Sequence, residues 1–195
     1  MYRKIILASQ SPRRKQLLQI AGVPFEVLLP GIEEDFPETL LPTEVPVYLA
    51  CQKANAVKNQ LKAENKYDSN IPILAADTIV ILNNKILGKP KDENEAIYLL
   101  KQLSGNEHQV ITGVFILKDQ EYIRFSATTK VYFHPLTNEQ IIWYVANCRP
   151  YDKAGAYGIQ DWIGVVGVSA IEGDFYNVMG LPVSRILPYL LEEKS

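Results

Sequence analysis

The sequence contains few of the residues that build disulfide frameworks or metal clusters. Its 195 residues include two cysteines, Cys51 and Cys148, and two histidines, His108 and His134. Two cysteines so far apart form no disulfide framework and no metal-ligand cluster, so we expect structural thiols in a reducing compartment. Both histidines lie at predicted strand ends without metal-ligand spacing, and we interpret them as structural.

Long apolar runs and a large net charge are also missing. No run approaches the roughly 20 apolar residues of a membrane span, and the apolar run after Lys4 is too short for a signal peptide. The formal net charge is −2, and no stripe of basic and aromatic residues is present, which argues against a nucleic-acid partner. We therefore expect a cytoplasmic protein with no membrane and no nucleic-acid partner.

The remaining composition is typical of a globular protein. The chain is 47% hydrophobic and 22% charged, and it has no internal repeat, low-complexity tract or linker. Its length allows one sizeable domain, or at most two small lobes that share one core. We therefore treat residues 1–195 as a single domain.

The stretch from Ile5 to Arg14 carries the first chemical signal. Four apolar residues predict a buried strand, and Ser11 and Pro12 then suit the N-cap and the first position of a helix. The first turn of a helix favours acids, yet this one carries Arg13 and Arg14. A phosphate bound there would use the helix N–H groups, the hydroxyls and both guanidiniums. The alternative is a solvated basic helix start.

Three acids in a row, Glu33-Glu34-Asp35, follow a predicted strand at 25–29. Such a run is usually a solvated turn. The alternative is that one of these carboxylates helps to hold a divalent cation, which takes oxygen ligands and tolerates loops.

A long helix is predicted from about Thr43 to Glu64, with Thr43 as its cap. Its apolar stripe passes through Leu49 and Val57 at helical spacing, and Lys53 lies on the same line. The Lys53 side chain either extends past the core to a solvent edge or aims a point charge at a phosphate.

The most apolar segment, Ile73–Leu82, predicts a central strand that is buried on both faces. Asp77 lies in its middle. A buried carboxylate is unfavourable unless it is paired, bound to metal or protonated, so Asp77 is the best single candidate for a catalytic group or metal ligand. The alternative is a structural aspartate at a strand end.

A tight hairpin follows this strand, and its return strand leads into Gly88-Lys89-Pro90. The hairpin would bring Lys89 towards the neighbourhood of Asp77. Taken alone, however, Gly-Lys-Pro usually marks a loop with a solvated lysine.

The remaining elements follow from local signals. Asp92 and Thr137 predict helix caps, the second with Gln140 as a capping box, and a strand pair lies between these helices. A strand over 165–171 and one closing helix through Leu191 complete the chain.

Residues 150–160 combine an acid, a base, two glycines, two tyrosines and a glutamine in one predicted loop. Glycines let a backbone approach a ligand closely, and the amide of Gln160 is suited to reading a base edge. The alternative is a packed turn.

Seven motifs follow one another along the chain: Ser9-Gln10-Ser11-Pro12-Arg13-Arg14, Ala76-Asp77-Thr78, Gly88-Lys89-Pro90, Leu103-Ser104-Gly105 with His108, Thr112-Gly113-Val114, Asp152 through Gln160, and Gly173-Asp174 with Gly180-Leu181-Pro182. In this order they resemble the Maf family of nucleoside triphosphate pyrophosphatases, which were once described as inhibitors of septum formation. The likeness runs from about residue 4 to 190. Arg13, Thr78 and Gln160 resemble the specificity positions of the subfamily that hydrolyses dTTP and UTP, rather than the branch that acts on 7-methyl-GTP.

The resemblance implies a fold, an activity and a set of site residues. The fold is mixed α/β, an elongated central sheet flanked by helices that forms two lobes around a cleft. The activity is hydrolysis of dTTP and UTP to the monophosphate and pyrophosphate with Mg²⁺ or Mn²⁺, and a homodimer is suggested. Asp77 is implied as the general base or metal-organising acid, with metal support from Glu34. The implied substrate-binding residues are Ser9, Arg13, Arg14, Lys53, Thr78, Lys89, Lys153 and Gln160.

Two departures from the family pattern concern the rim of the base pocket. Asp161-Trp162 follows Gln160 where the family usually has glycine, and Cys148-Arg149 stands where a small or acidic pair is expected. The alternative functions are a non-catalytic nucleotide-binding regulator of septum formation and a pyrophosphatase that prefers 7-methyl-GTP. The cellular role is either cleaning of the nucleotide pool or restraint of cell division.

Overall fold

The structure, a computed structural model, describes residues 1–191. Its strands are β1 (Ile5–Leu7), β2 (Phe25–Val27), β3 (Ile73–Leu82), β4 (Lys85–Leu87), β5 (Glu107–Lys118), β6 (Glu121–Phe133) and β7 (Val168–Glu172). Its α-helices are α1 (Pro12–Ile20), α2 (Val45–Ala63), α3 (Glu93–Leu103), α4 (Asn138–Cys148), α5 (Trp162–Gly167), α6 (Phe175–Met179) and α7 (Val183–Ile186), and short 3-10 helices lie at Ala154–Ala156 and Leu187–Leu190. Within this range, no helix combines the length and the apolar character needed to cross a membrane.

One seven-stranded sheet carries the fold, in the order β2-β1-β3-β5-β6-β7, with β4 paired to β3. β1 pairs in parallel with both β2 and β3, whereas the pairs β3–β4 and β6–β7 are antiparallel. The predicted mixed α/β class, a central sheet flanked by helices, is therefore confirmed.

The chain divides into two compact units that alternate along the sequence. The first comprises residues 1–77, 112–127 and the chain from 180 onwards, and the second comprises residues 78–111 and 128–179. Each of the long strands β3, β5 and β6 contributes residues to both units. The single domain over 1–195 stays a prediction, as does the cleft expected between two lobes, and its last four residues lie outside the described range.

In the first unit, α2 packs on β1, β3 and β5 through a buried apolar cluster. The cluster includes Ala50, Ala54 and Val57 of α2 and Ile73 and Ala75 of β3. The buried face of α2 follows the predicted stripe, because apolar burial is the main favourable contribution to packing a helix on a sheet. The same stripe carries Lys53 into the interior of the unit.

Several local sequence signals give the expected elements. β3 has its predicted bounds, Ile73–Leu82. The Asp92 side chain accepts a hydrogen bond from the Glu95 N–H at 2.8 Å, which caps α3. Thr137 and Gln140 form the reciprocal capping box at the start of α4.

Two predicted boundaries differ from the structure, and one predicted cap lacks its hydrogen bond. Glu44, not Thr43, occupies the N-cap of α2. Ser11 occupies the predicted N-cap of α1, with Pro12 as the first helical residue, but its hydroxyl makes no cap hydrogen bond; the Ser11 N–H donates to the Ser9 hydroxyl at 3.2 Å. The second strand ends at Val27, two residues before its predicted end.

The predicted strand over 165–171 is wrong for residues 165–167, which form the end of α5. The Gly164 N–H donates to the Asp161 carbonyl, and a Cβ on Gly164 would overlap the Ile159 carbonyl oxygen. This close approach of two backbone segments starts a helical turn and overrides the β-propensity of the valines.

The closing helix predicted after Pro182 is present in two parts. α7 (Val183–Ile186) is followed directly by the 3-10 helix Leu187–Leu190, in which Pro188 has no N–H to continue the α-helical hydrogen bonds. The sequence does not predict α6 (Phe175–Met179), which ends before Gly180, whose φ is +114°.

Candidate active site

The first unit brings Asp77 of β3 into direct contact with Lys53 of α2. The Lys53 Nζ lies 2.6 Å from Asp77 Oδ1, and the two residues are only 6% and 8% exposed. The contact follows from the packing, because the apolar stripe of α2 faces the sheet and directs Lys53 towards a strand residue. Lys53 is therefore paired inside the unit and does not extend to a solvent edge.

Glu34, from the acidic run between β2 and α2, approaches the same lysine. Its Oε1 atom is 2.7 Å from Lys53 Nζ, while its side chain stays 46% exposed. One ammonium group therefore contacts two carboxylates, one buried and one partly solvated. A simple solvated turn does not describe Glu34.

The surroundings of Asp77 act on its pKa in opposite directions. Burial raises the pKa of Asp77 above its ordinary value of 3.8, because the charged form loses solvation. The charges of Lys53 and Arg14 lower it, and the charge of Glu34 raises it. The basicity of this carboxylate therefore depends on which cations lie beside it.

Arg14, in the first turn of α1, is also buried. Its Nε donates to the Gly180 carbonyl at 2.8 Å, and its Nη1 donates to the Ser9 hydroxyl at 3.1 Å. Burial lowers the pKa of Arg14, the charge of Asp77 raises it, and the charge of Arg13 lowers it. The two arginines at the helix start therefore differ, since Arg14 is anchored inside the unit whereas Arg13 is partly exposed.

The carboxylates of Asp77 and Glu34 form a donor set that suits a hard divalent cation. Both direct an oxygen at the one ammonium of Lys53, so the two side chains are able to face a single positive charge. Within residues 1–191, no group of three or more His, Cys, Asp or Glu side chains is placed to hold a metal. Two carboxylates match the usual way in which Mg²⁺ is held, with phosphate and water as the further ligands.

In the second unit, one backbone hydrogen bond joins the loop that contains Lys153 to the end of the hairpin that precedes Lys89. The Gly155 N–H donates to the Gly88 carbonyl at 3.0 Å. Gly155 has a φ of +66° and lies against the Val80 side chain, a conformation that other residues rarely adopt. The loop and the hairpin end are therefore held together.

The hairpin register gives the direction in which Lys89 lies. Leu87 pairs with Val80, so Lys89 follows two residues after the last pair, towards the Thr78 end of β3. Lys89 is exposed and Thr78 is partly buried. The expected approach of Lys89 to Asp77 stays a prediction.

Gln160 lies exposed at the end of the loop, beside Asp161. Its Nε2 donates to Asp161 Oδ1 at 2.9 Å. Asp161 Oδ2 accepts a hydrogen bond from the Tyr144 hydroxyl at 3.1 Å and lies 3.7 Å from Lys153 Nζ. Lys153 also pairs with Asp152 at 2.8 Å. Lys153 and Gln160 are thus neighbours of one carboxylate.

Sequence reasoning identifies Asp161 only as a departure from the family pattern, and it misses Tyr144. The side chain of Tyr144 is fully buried in α4. An aromatic residue on the inward face of a helix usually indicates core packing, and one sequence carries no signal that its hydroxyl meets a distant loop.

The structure places the predicted site residues in two sets. The first unit holds Ser9, Arg13, Arg14, Glu34, Lys53 and Asp77, and the second holds Thr78, Lys89, Lys153 and Gln160. Asp77 and Thr78 are consecutive residues of β3, so the division falls between them. That both sets form one site stays a prediction.

Comparisons with known proteins give a consistent family. A family model described as "Maf-like protein" matches residues 4–193. The dTTP/UTP pyrophosphatase of Phocaeicola vulgatus is 50% identical over 94% of this chain and 92% of its own length. The dTTP/UTP pyrophosphatase of Bacillus thuringiensis subsp. konkukian is 49% identical over 95% of this chain and 93% of its own. The solved structure of the Staphylococcus aureus Ham1 protein aligns with a TM-score of 0.45 and 18% identity over 67% of this chain and 72% of its own, a likeness too slight to carry an argument.

Proposed function

This chain belongs to the Maf family, and from that premise we propose that it is a nucleoside triphosphate pyrophosphatase acting on dTTP and UTP. Relatives named dTTP/UTP pyrophosphatase share about half of its sequence over nearly its whole length, which supports the proposal. The products are the nucleoside monophosphate and pyrophosphate.

The buried contact between Asp77 and Lys53 is the observation that carries the proposal. Hydrolysis of a phosphoanhydride needs a base for the attacking water and cations for the phosphate oxygens. This contact supplies a base, Asp77, and a cation, Lys53, in the interior of the first unit. Glu34 adds a second carboxylate.

We assign the phosphate contacts to the cationic and hydroxyl groups of the predicted site. A nucleoside triphosphate carries about four negative charges, and cations positioned around it stabilise the charge that moves to the leaving group. Thr78, Lys153 and Gln160 complete the substrate site, with Thr78 and Gln160 at the edge of the base. The proposed phosphate-binding residues are Ser9, Arg13, Arg14, Lys53 and Lys89.

Asp77 accepts a proton from the attacking water in this proposal. The water oxygen bonds to the α phosphorus, the bond from that phosphorus to the bridging oxygen breaks, and the electron pair leaves with pyrophosphate. Asp77 and Glu34 are the residues that would hold Mg²⁺ or Mn²⁺. When bound, the cation supplies charge neutralisation at the phosphate oxygens.

Pyrophosphate release by the purified full chain tests the function. The substrates are dTTP, UTP, CTP, 7-methyl-GTP and dITP, each with Mg²⁺ or Mn²⁺. We expect dTTP and UTP to be the preferred substrates. Release from 7-methyl-GTP alone would assign the chain to the other branch of the family, and binding without release under any condition would assign it to nucleotide-dependent regulation.

Isotope labelling tests the bond that is cleaved. In ¹⁸O-labelled water, attack on the α phosphorus places the label in the monophosphate, which is the result we expect by mass spectrometry. Label in the pyrophosphate would show attack on the β phosphorus and would overturn the proposed role of Asp77 beside the α phosphate.

We also propose that the enzyme works in the cytoplasm as a homodimer, either in cleaning of the nucleotide pool or in restraint of cell division. Analytical ultracentrifugation of the full chain checks the assembly. A deletion strain, scored for its nucleotide pool and for its cell length, separates the two roles.

A further inference from the structure

We propose that Asp161 is a positioning residue that fixes the amide of Gln160 and thereby makes the site select uracil and thymine over cytosine. The inference rests on the proposed function, which places Gln160 at the edge of the base. It assigns a role to a residue at which this chain departs from the family pattern.

The direction of the Gln160 amide follows from the contact with Asp161. An ionised carboxylate only accepts hydrogen bonds, so the amide must turn its NH₂ group to Asp161, as the 2.9 Å contact from Nε2 to Oδ1 shows. The carbonyl oxygen Oε1 then points away from the carboxylate. Rotating the amide by half a turn would place Oε1 against Oδ1, and the two oxygens would repel each other.

The Asp161 carboxylate is itself held in place by a hydrogen bond from Tyr144. The Gly158 N–H donates to the Tyr144 hydroxyl at 3.2 Å, so the single proton of that hydroxyl is available for Asp161. Burial raises the pKa of Tyr144, and the hydroxyl therefore keeps this proton. The donor that orients Asp161 thus belongs to a fully buried side chain of α4.

The backbone position of Asp161 shows that its side chain is used for this contact rather than for capping. Asp161 occupies the N-cap of α5, where aspartate normally accepts a hydrogen bond from the first turn. It makes no such bond, and its two oxygens contact Gln160 and Tyr144 instead.

The absence of a side chain at Gly158 leaves room for the contact between Gln160 and Asp161. A Cβ at position 158 would lie 2.6 Å from Asp161 Oδ2 and 2.7 Å from Gln160 Nε2. Both distances are shorter than non-bonded atoms tolerate, so any larger residue would displace the pair. The loop is therefore shaped around the contact between Gln160 and Asp161.

A fixed amide distinguishes the pyrimidine bases. Uracil and thymine present an N3–H donor beside the O4 acceptor, and these match Oε1 and the second hydrogen of Nε2 in Gln160. Cytosine presents an N3 acceptor beside an amino donor, the reverse pattern, and would need the rotated amide. Asp161 opposes that rotation, so the site should favour dTTP and UTP over CTP.

The test compares the ratio of kcat/KM for UTP and for CTP in Asp161→Ala and Asp161→Asn. A ratio measured on one preparation does not depend on the folded fraction. Asp161→Ala removes the acceptor, and we expect the ratio to fall about tenfold, the value of one hydrogen bond, mainly through a higher KM for UTP. In Asp161→Asn the one remaining oxygen accepts from Tyr144, and the new NH₂ group faces Gln160, where it favours the rotated amide, so the ratio should fall at least as far.

Glu172→Ala is the matched control. Glu172 is also a carboxylate that accepts from a tyrosine hydroxyl, that of Tyr132, and lies near a lysine, Lys130, but on β7. Its ratio should equal that of the wild type. An unchanged ratio in Asp161→Ala would overturn the proposal. An equal loss in Asp152→Asn would also overturn it, because that change removes a charge beside Lys153 but leaves the contact between Gln160 and Asp161 in place.

Failure of the proposed function would be visible separately, as a wild-type chain that releases no pyrophosphate from dTTP or UTP. The same variants are then compared by calorimetric binding of UTP and CTP. Preference for UTP that is lost in Asp161→Ala supports the positioning role, and equal affinities in the wild type overturn it.

Discussion

At the scale of single residues, Asp77 must be ionised to accept a proton, but its burial disfavours the charged form. Asp77→Asn keeps the shape and removes the base. We expect kcat to fall by about 10²- to 10⁴-fold, the usual contribution of a general base, with little change in KM. Steady-state kinetics with dTTP measures this, and Asp68→Asn, an exposed aspartate of the same unit, should leave kcat unchanged. A fully active Asp77→Asn enzyme would remove Asp77 from the mechanism.

Burial and the charge of Lys53 together act on the pH at which Asp77 loses its proton. As the pH falls, activity should fall through the pKa of Asp77, which burial raises and the Lys53 charge lowers. Lys53→Met removes the lowering charge, so the acid limb of kcat/KM should move to higher pH, by about one unit or more. The pH profile of the residual activity measures this shift. Lys62→Met, on the exposed side of α2, should keep the wild-type profile; an unmoved limb in Lys53→Met would contradict the coupling.

His108 should make the stability of the chain depend on pH without any role in catalysis. Burial lowers the pKa of His108 from 6.5 to about 4. As the pH falls below 6.5, the unfolded chain therefore binds a proton at His108 that the folded chain does not. The stabilisation that neutral His108 contributes is fully present above pH 6.5 and is lost as the pH falls to about 4. The loss due to this one group should be about 3 kcal/mol.

Urea unfolding at pH 7, 5.5 and 4.5 checks this expectation. His108→Gln keeps a group that can pair with the Tyr157 hydroxyl, which lies 2.7 Å from His108 Nε2, and it should flatten the dependence on pH. His134→Gln, at an exposed position, should leave the dependence of stability on pH unchanged. The role of His108 is refuted if both variants follow the wild-type curve.

At the scale of elements, the contact between β5 and α2 depends on Gly113. A Cβ at position 113 would lie 2.2 Å from the backbone carbon of Pro46, and backbone does not move aside as a flexible side chain does. Gly113→Ala should therefore lower the free energy of unfolding by about 3 kcal/mol, at the upper end of overpacking effects. Gly88→Ala is the control, since a Cβ there meets nothing within 4 Å. Equal stability of the two variants by urea unfolding would contradict the close approach.

Elements whose signals are local are the ones that the sequence predicts well. The caps at Asp92 and Thr137 need only residues three positions apart, and β3 needs only a continuous apolar run. α5 is missed because its first turn depends on the space beside Ile159, which a valine-rich sequence does not reveal. The propensity of single residues was overridden there by a contact between two backbone segments.

The residues of the candidate site are likewise predictable only where their signals are local. Asp77, Lys53 and Glu34 are recognisable because a charge on an apolar strand, a lysine on an apolar stripe and an acidic run each stand out in one sequence. Their contacts with one another through Lys53 are not recognisable from the sequence, because these contacts form only when α2 and the loop before it pack beside β3. Asp161 and Tyr144 stand out still less, because their roles exist only in their hydrogen bonds.

At the scale of the whole molecule, the two compact units cannot be read from the order of the sequence. Three segments form the first and two form the second, and each of the long strands β3, β5 and β6 contributes to both. Composition does not change at these crossings, so no linker signal marks them. The C-terminal part of the chain returns to the first unit, where the Gly180 carbonyl accepts from Arg14 and the backbone of Leu191 pairs with Tyr2.

This return predicts that the stability of the first unit depends on residues far from it in sequence. Leu181, directly after the carbonyl that binds Arg14, is fully buried, whereas Leu191 is 51% exposed. Leu181→Ala should cost about 2–5 kcal/mol through lost burial and a cavity, a large share of the total stability of a typical domain. Leu191→Ala keeps the backbone pairing with Tyr2 and should cost far less. Urea unfolding monitored by circular dichroism compares the two. If they are equally stable, the segment after Gly180 does not close the core of the first unit, and Arg14 lacks the fixed anchor that holds it beside Ser9.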